Sequence, residues 1–240
     1  MNAPGIVFSG SAALDGSVLF KDVSLELVPG GWTCLLGTSG VGKTTILRMI
    51  AGFDTRAELS GRIAASDGKA LDDRIAYMAQ EDLLLPWASV LDNVTLGARL
   101  RGERADRAQA EALIERVGLS AHVRKKPHAL SGGQRQRVAL ARTLMEDRAV
   151  ILLDEPFSAL DAKTRSEMQD LSFELLEHRT VLLVTHDPGE AARLADRIVV
   201  MSAAGLDDVP PPSAPAPRAV DDGETLAAQG ALMRQLREAS

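Results

Sequence analysis

Gly37-Thr38-Ser39-Gly40-Val41-Gly42-Lys43-Thr44, followed by Thr45, is the stretch on which the reading of this chain turns. It is entered from the apolar run Cys34-Leu35-Leu36 and left through Ile46-Leu47-Arg48-Met49-Ile50-Ala51-Gly52. That order predicts a buried strand, a loop, and a helix stopped by glycine. The loop's glycines let the backbone approach an anion, so that successive N–H groups and the helix N-terminus face phosphate oxygens. Lys43 brings a positive charge for the β- and γ-phosphates, and the Thr44 hydroxyl is placed to ligand Mg²⁺. A plain glycine turn with a capping threonine has no need of the lysine. The stretch implies a bound nucleoside triphosphate.

Upstream, Ile6-Val7-Phe8, Val18-Leu19-Phe20 and Val23-Ser24-Leu25-Glu26-Leu27-Val28 read as short strands, and Pro29-Gly30-Gly31 turns the chain into the loop strand. Downstream, Gly61-Arg62-Ile63 and Arg74-Ile75-Ala76-Tyr77-Met78-Ala79 are strand-like, and Gln80 follows at once. The apolar cluster Leu83-Leu84-Leu85-Pro86-Trp87 fits either a core or a docking surface. From Glu81 to Asp147 the pattern is helical, like a subdomain inserted into an α/β chain. Asp106 to Val117 carries Ala110, Leu113, Ile114 and Val117 at one helical face.

The composition is that of an ordinary globular protein, with 45% hydrophobic and 25% charged residues among 240. A net charge of −6 argues against a nucleic-acid backbone as partner, and none is expected. Cys34 is the single cysteine and sits in an apolar strand, so no disulfide framework exists. No basic region followed by an apolar core opens the chain, and no run is long enough for a membrane span. If the protein works at a membrane, other chains do the spanning.

Val150-Ile151-Leu152-Leu153 is a fully apolar strand ending in Asp154-Glu155. Two carboxylates at the carboxyl end of a strand, beside a phosphate loop, suit a Mg²⁺ ligand (Asp154) and a base for the attacking water (Glu155). Within the helical stretch, Ser131-Gly132-Gly133-Gln134 offers a second anion-receptive helix start. One triphosphate hardly needs two such sites, so the second fits a nucleotide held by a partner.

With these residues in view, the chain from about residue 5 to 205 resembles the ATP-binding-cassette (ABC) ATPases. Gly37 to Thr45 matches the family's Walker A motif, Gln80 its Q-loop and Leu130 to Gln134 its signature. Ile151 to Glu155 matches the Walker B, Ser158 to Asp161 the D-loop, and His186, after the strand Thr180 to Thr185, the switch histidine. The resemblance implies a P-loop α/β core with a mainly parallel sheet, an N-terminal antiparallel β subdomain and the inserted helical subdomain at about 81–147. It implies ATP and Mg²⁺ as ligands, the cation held by Thr44, Gln80 and Asp154. It further implies a head-to-tail homodimer in which Ser131, Gly132, Gly133 and Gln134 meet the partner's ATP, with Glu155 as general base and His186 at the γ-phosphate.

The motif order is similar to importer ATPases. Gln80-Glu81-Asp82-Leu83-Leu84-Leu85-Pro86-Trp87 with Val90 to Val94 resembles the nitrate/sulfonate/taurine branch, which includes transporters of thiamine pyrimidine precursors. The implied partners are an integral-membrane permease contacting Gln80 to Val90 and, indirectly, a periplasmic or extracellular solute-binding protein. The implied location is peripheral, on the cytoplasmic face of the inner membrane. Chromosome-maintenance and translation-factor relatives, the competing non-transport ABC ATPases, need a long heptad insertion or a second cassette. The roughly 70 residues between Gln80 and Asp154 leave no room for such an insertion.

Leu14 falls where the family has an aromatic to stack on adenine. Aliphatic packing then replaces stacking, or Phe8 or Phe20 reaches in. The cassette is expected over residues 1–208, with Pro210 to Pro217 as an extended linker (209–218) and 219–240 as a tail with a possible short helix. The linker is expected to decouple the tail and leave hydrolysis independent of it.

Overall fold

The structure, a computed structural model, describes residues 3–238. They form two compact units. The first comprises the described residues up to Ile75, Ala149–Glu155, and those from Glu177 onward; the second comprises Ala76–Arg148 and Pro156–Leu176.

The first unit opens with β1 (Ile6–Leu14) and β2 (Ser17–Leu27). Two long strands replace the three short ones expected, because the ladder between them is irregular at Gly10 to Ala13. There the chain opposite bends through Asp22, whose φ of 48 places it in the left-handed region, and Ser11 Oγ accepts from the Asp22 N–H at 2.9 Å. Such a bulge breaks the alternation that a sequence pattern relies on. After β3 (Trp32–Gly37) and α1 (Lys43–Ile50), β4 (Ala57–Ala65) joins the other edge of β1. The result is an antiparallel sheet in the order β2-β1-β4. Phe8 and Phe20 meet edge to face beneath it, with ring centroids 6.0 Å apart.

The larger sheet is built around β3. Beyond β5 (Ile75–Met78), where the chain leaves the first unit, it returns as β6 (Val150–Asp154). It continues through β7 (Thr180–Thr185), α7 (Pro188–Leu194), β8 (Arg197–Ser202) and β9 (Gly205–Val209). In the first unit the strand order is β6-β7-β3-β8-β9, parallel except for β9. Every residue of β3, β6 and β7 is buried, as continuous apolar runs in a parallel sheet require.

The tail corrects an expectation. Residues after β9 do not hang free: α8 (Gly223–Glu238) packs along α7, burying Leu232 and Leu236. The proline-rich stretch is stitched down by Arg218, only 5% exposed, whose guanidinium donates to the carbonyls of Pro212, Ala214, Ala192 and Ala195. A proline-rich stretch has few backbone donors but keeps its carbonyls, and one arginine with a rigid fork of N–H groups uses two of them, those of Pro212 and Ala214. A linker decoupling the tail is therefore not what the chain forms.

The second unit holds α2 (Val90–Val94), α3 (Leu96–Leu100), α4 (Arg107–Arg116), α5 (Gly132–Met145) and α6 (Ala162–Leu175). It is wider than the expected insertion at 81–147, since α6 groups with it. Gly133 permits that: a Cβ there would stand 2.8 Å from Thr164 Cγ2 of α6. Two ion pairs add to the grouping, Arg137–Glu167 at 3.0 Å and Arg116–Glu174 at 2.9 Å. Among the described residues no helix is long and apolar enough to cross a membrane.

Candidate nucleotide site

Strand register assembles the site. Leu36 of β3 pairs with Thr185 of β7, and Asp154 of β6 pairs with Val184. The residues that follow, Gly37, His186 and Glu155, therefore leave the same carboxyl edge of parallel strands at nearly one height. Open α/β sheets bind their ligands at such an edge.

From Gly37 the chain runs through Thr38, Ser39, Gly40 and Val41 to Gly42, the N-cap of α1. Gly42 has φ 112, and a Cβ on it would come within 3.1 Å of Met201 Cε and 3.3 Å of Phe20 Cδ1. Only glycine satisfies both the left-handed backbone and that close approach. Phe20 is thus the aromatic that reaches the loop, packed beneath Gly42. Leu14, the last residue of β1, is half-buried beside the Asp15-Gly16 turn. At Gly40 a Cβ would meet nothing within 4 Å, so this side of the loop is open.

Lys43 is 4% exposed and turns its ammonium back into the loop, donating to the carbonyls of Gly37 and Thr38 at 2.8 Å each. Burial pushes its pKa down, opposed by the nearby carboxylates of Glu155 and Asp154. Thr44 Oγ1 donates to Asp154 Oδ1 at 3.0 Å, joining α1 to the end of β6. Thr45 continues α1. A hydroxyl and a carboxylate side by side are the hard oxygen donors that Mg²⁺ takes together with substrate phosphates. The donor set fits the cation. It needs no cluster of three ionisable ligands, and none occurs among the described residues.

Glu155 is held at φ 46, its N–H donating to Val184 O at 2.9 Å. A left-handed glutamate is strained and persists only where its surroundings fix it. Its Oε2 lies 3.0 Å from Nδ1 of His186. With the carboxylate accepting, the imidazole donates through Nδ1 and turns Nε2 outward. The geometry thus brings together Lys43, Thr44, Asp154, Glu155 and His186, all in the first unit.

The signature residues lie in the second unit. Ser131 caps α5 in a reciprocal box: its Oγ accepts from Gln134 N at 3.3 Å, and Gln134 Oε1 accepts from Ser131 N at 3.0 Å. Gly132 and Gly133 make the first turn. An open cavity of about 570 Å³ lies over this helix start, bounded also by Arg137 and Asp161. Asp161 caps α6, accepting from Thr164 N at 3.1 Å, and hydrogen bonds from the Thr164 side chain first and its N–H second hold the Asp161 carboxyl below the usual range.

Gln80 is exposed in the second unit, its carbonyl accepting from Gln136 Nε2 at 3.2 Å. After it, Leu83 and Trp87 are 58% and 70% exposed while Leu84 between them is buried, so the apolar cluster is anchored in the core at Leu84 and presents Leu83 and Trp87 at the surface. Sequence reasoning missed what holds it there. Arg142 donates to the carbonyls of Asp82 and Leu83 at 2.7 and 2.8 Å, and Arg135 pairs with Asp82 at 2.8 Å. Arginines seven apart on α5 share a face, and that spacing was the available signal.

These features agree with what the chain is similar to. Residues 20–158 match the family model described as ABC transporter. An uncharacterized ABC transporter ATP-binding protein of Haemophilus influenzae is 46% identical over 94% of this chain and 95% of its own. The aliphatic sulfonates import ATP-binding protein SsuB of Delftia acidovorans is 45% identical, over 80% of this chain and 76% of that protein. The solved structure of cbiO1 from Clostridium perfringens, part of the ABC transporter complex cbiONQ, superposes with a TM-score of 0.74 at 28% identity. That match covers 84% of this chain and 86% of cbiO1. The chain belongs to the ABC transporter family, as one of its ATP-binding, ATP-hydrolysing members.

Proposed function

We propose that this chain is the ATPase subunit of an importer, working as a homodimer on the cytoplasmic face beneath a separate permease that carries a small anionic solute such as an aliphatic sulfonate. The observation that carries the enzymatic part is the 3.0 Å contact of Glu155 with His186 beside the Lys43–Thr44 loop. In this reading the loop amides and Lys43 bind the β- and γ-phosphates of ATP. Glu155 takes the proton of the water that attacks the γ-phosphorus, and the bond to the β-phosphate oxygen breaks to release ADP and phosphate. His186, oriented by Glu155, directs Nε2 at the γ-phosphate. Thr44 and Asp154 would hold Mg²⁺, which neutralises charge on the β- and γ-oxygens when bound. The base falls to Leu14 at the tip of the β1–β2 hairpin.

The start of α5 supports the dimer. It is a 14-residue helix with Ser131 and two glycines at its N-terminus under an open cavity, a receptor for the γ-phosphate of a second copy's ATP. Leu83 and Trp87, exposed on a loop pinned from behind, support the permease contact. The sulfonate reading rests on relatives such as the Delftia protein. Specificity itself would lie in the permease and a solute-binding protein, so the test is made on the assembly. Glu155→Gln mixed with ATP is expected to shift from monomer to dimer in light scattering, and Ser131→Arg in the same background to stay monomeric. A Glu155→Gln chain that stays monomeric at saturating ATP would overturn the dimer.

A further inference from the structure

The helix that follows His186 is bonded at its end, and approached at its start, by residues beyond 209. α7 has only seven residues and begins two residues after His186, at Pro188. A helix that short has little stability of its own and takes its position from what it packs on. At its start, Thr185 Oγ1 donates to the buried carboxylate of Glu190 at 2.6 Å and accepts from Asp187 N at 3.0 Å, so that the two bonds flank His186. Asp187 Oδ1 accepts from Gly189 N at 2.8 Å. Against this first turn lies Gln229 of α8: a Cβ on Gly189 would be 3.5 Å from Gln229 Cδ.

At the other end the C-cap, Ala195, donates to Ala191 O at 3.2 Å but is extended rather than left-handed, and Asp196 N turns away to Trp32 O, so the further closing bonds to the last carbonyls are not made. Arg218 replaces them. Its Nη1 donates to Ala192 O at 3.0 Å and Ala195 O at 2.9 Å, and its backbone N donates to Arg193 O at 3.0 Å. Arg193 Nε in turn donates to Arg218 O at 3.0 Å. A buried cation on the last carbonyls of a helix also opposes the dipole there.

We propose that the C-terminal segment is a brace on α7 that keeps His186 against Glu155, making Gln229 and Arg218 positioning residues for hydrolysis. The inference rests on the assignment of Glu155 and His186 given above. A switch histidine works only if its imidazole is held at hydrogen-bond reach. The sheet fixes Thr185, but the chain beyond it is fixed by α7, which lies between the sheet on one side and the tail on the other. Misplacing a catalytic group by about 1 Å can lower the rate about 10²-fold.

The test uses full-length chains carrying Gln229→Ala, Arg218→Met or Arg218→Lys, each also made with His186→Ala, with kcat, KM for ATP and melting temperature measured. The expected result is a fall in kcat of about tenfold for Gln229→Ala and Arg218→Met, KM within about twofold, and no further fall in the His186→Ala background, since coupled sites are not additive. Arg218→Lys should recover part of the loss. Gln229→Ala, a change on a half-buried helix face, keeps the test open if Arg218→Met does not fold. Unchanged kcat in Gln229→Ala, or losses that multiply in the His186→Ala background, would overturn the brace. If His186→Ala alone leaves kcat intact, the assignment beneath the brace fails instead.

Discussion

Asn93 and Leu85 are bonded twice: Leu85 N donates to Asn93 Oδ1 at 2.7 Å, and Asn93 Nδ2 donates to Leu85 O at 3.3 Å. The same amide also donates to Ser89 O at 2.9 Å and Ala88 O at 3.3 Å, and the side chain is completely buried. One asparagine thus fixes the backbone of residues 85–89 and leaves Trp87 standing in solvent. An apolar loop exposed yet rigid is suited to docking, because its ordering entropy is already spent before a partner arrives. Trp87→Ala should leave the melting temperature nearly unchanged while weakening co-purification with the permease by about 2 kcal/mol or more. Asn93→Ala should destabilise the chain by about 1–3 kcal/mol, because buried backbone groups lose their partner. A large melting shift from Trp87→Ala would place the ring in the core instead.

Glu155→Gln should remove turnover and keep ATP binding. The amide preserves shape but takes no proton, and losing a general base lowers the rate about 10²–10⁴-fold. Single-turnover hydrolysis near the wild-type rate would assign the base elsewhere.

Gly42→Ala should abolish ATP binding and destabilise the chain. The left-handed φ of 112 strains any side chain, and the methyl would press on Met201 and Phe20. Strain of about 1–3 kcal/mol is expected in a melt, and isothermal titration with ATP reads the loss of the loop. Retained ATP affinity would mean that the loop tolerates another shape.

Leu14→Tyr tests the base contact. If Leu14 faces adenine, a ring there adds stacking of about 1–3 kcal/mol, tightening ATP by roughly tenfold and improving discrimination from GTP. Unchanged affinity with a lowered melting temperature would show an overpacked hairpin instead.

A chain truncated after Asp208 should be much less stable. It loses the burial of Leu232 and Leu236, each worth about 1.5–3 kcal/mol, together with the Arg218 cap of α7. A wild-type melting temperature for the purified truncation would restore the view of the tail as an appendage.

The sequence by itself determined the candidate residues of the site. Gly37 to Thr45, Asp154-Glu155 and Ser131 to Gln134 were legible as candidates, because a phosphate loop, a strand-end carboxylate pair and a glycine-rich helix start are local devices with local spacing, whereas His186 was singled out only by the family resemblance. It also marked the buried strands, whose apolar runs are too short for a helix. Only the tertiary structure decided which of these devices meet, since Glu155 and His186 are 31 residues apart and the parallel register brings them to 3.0 Å. It alone decided the fate of the tail. Proline content argues for an extended, unpaired backbone, and that argument sees only what prolines cannot donate. The carbonyls of Pro212 and Ala214 found a buried arginine, and a short helix two strands upstream needed capping. Long-range satisfaction of that kind has no period and no spacing, so nothing short of the fold could show it.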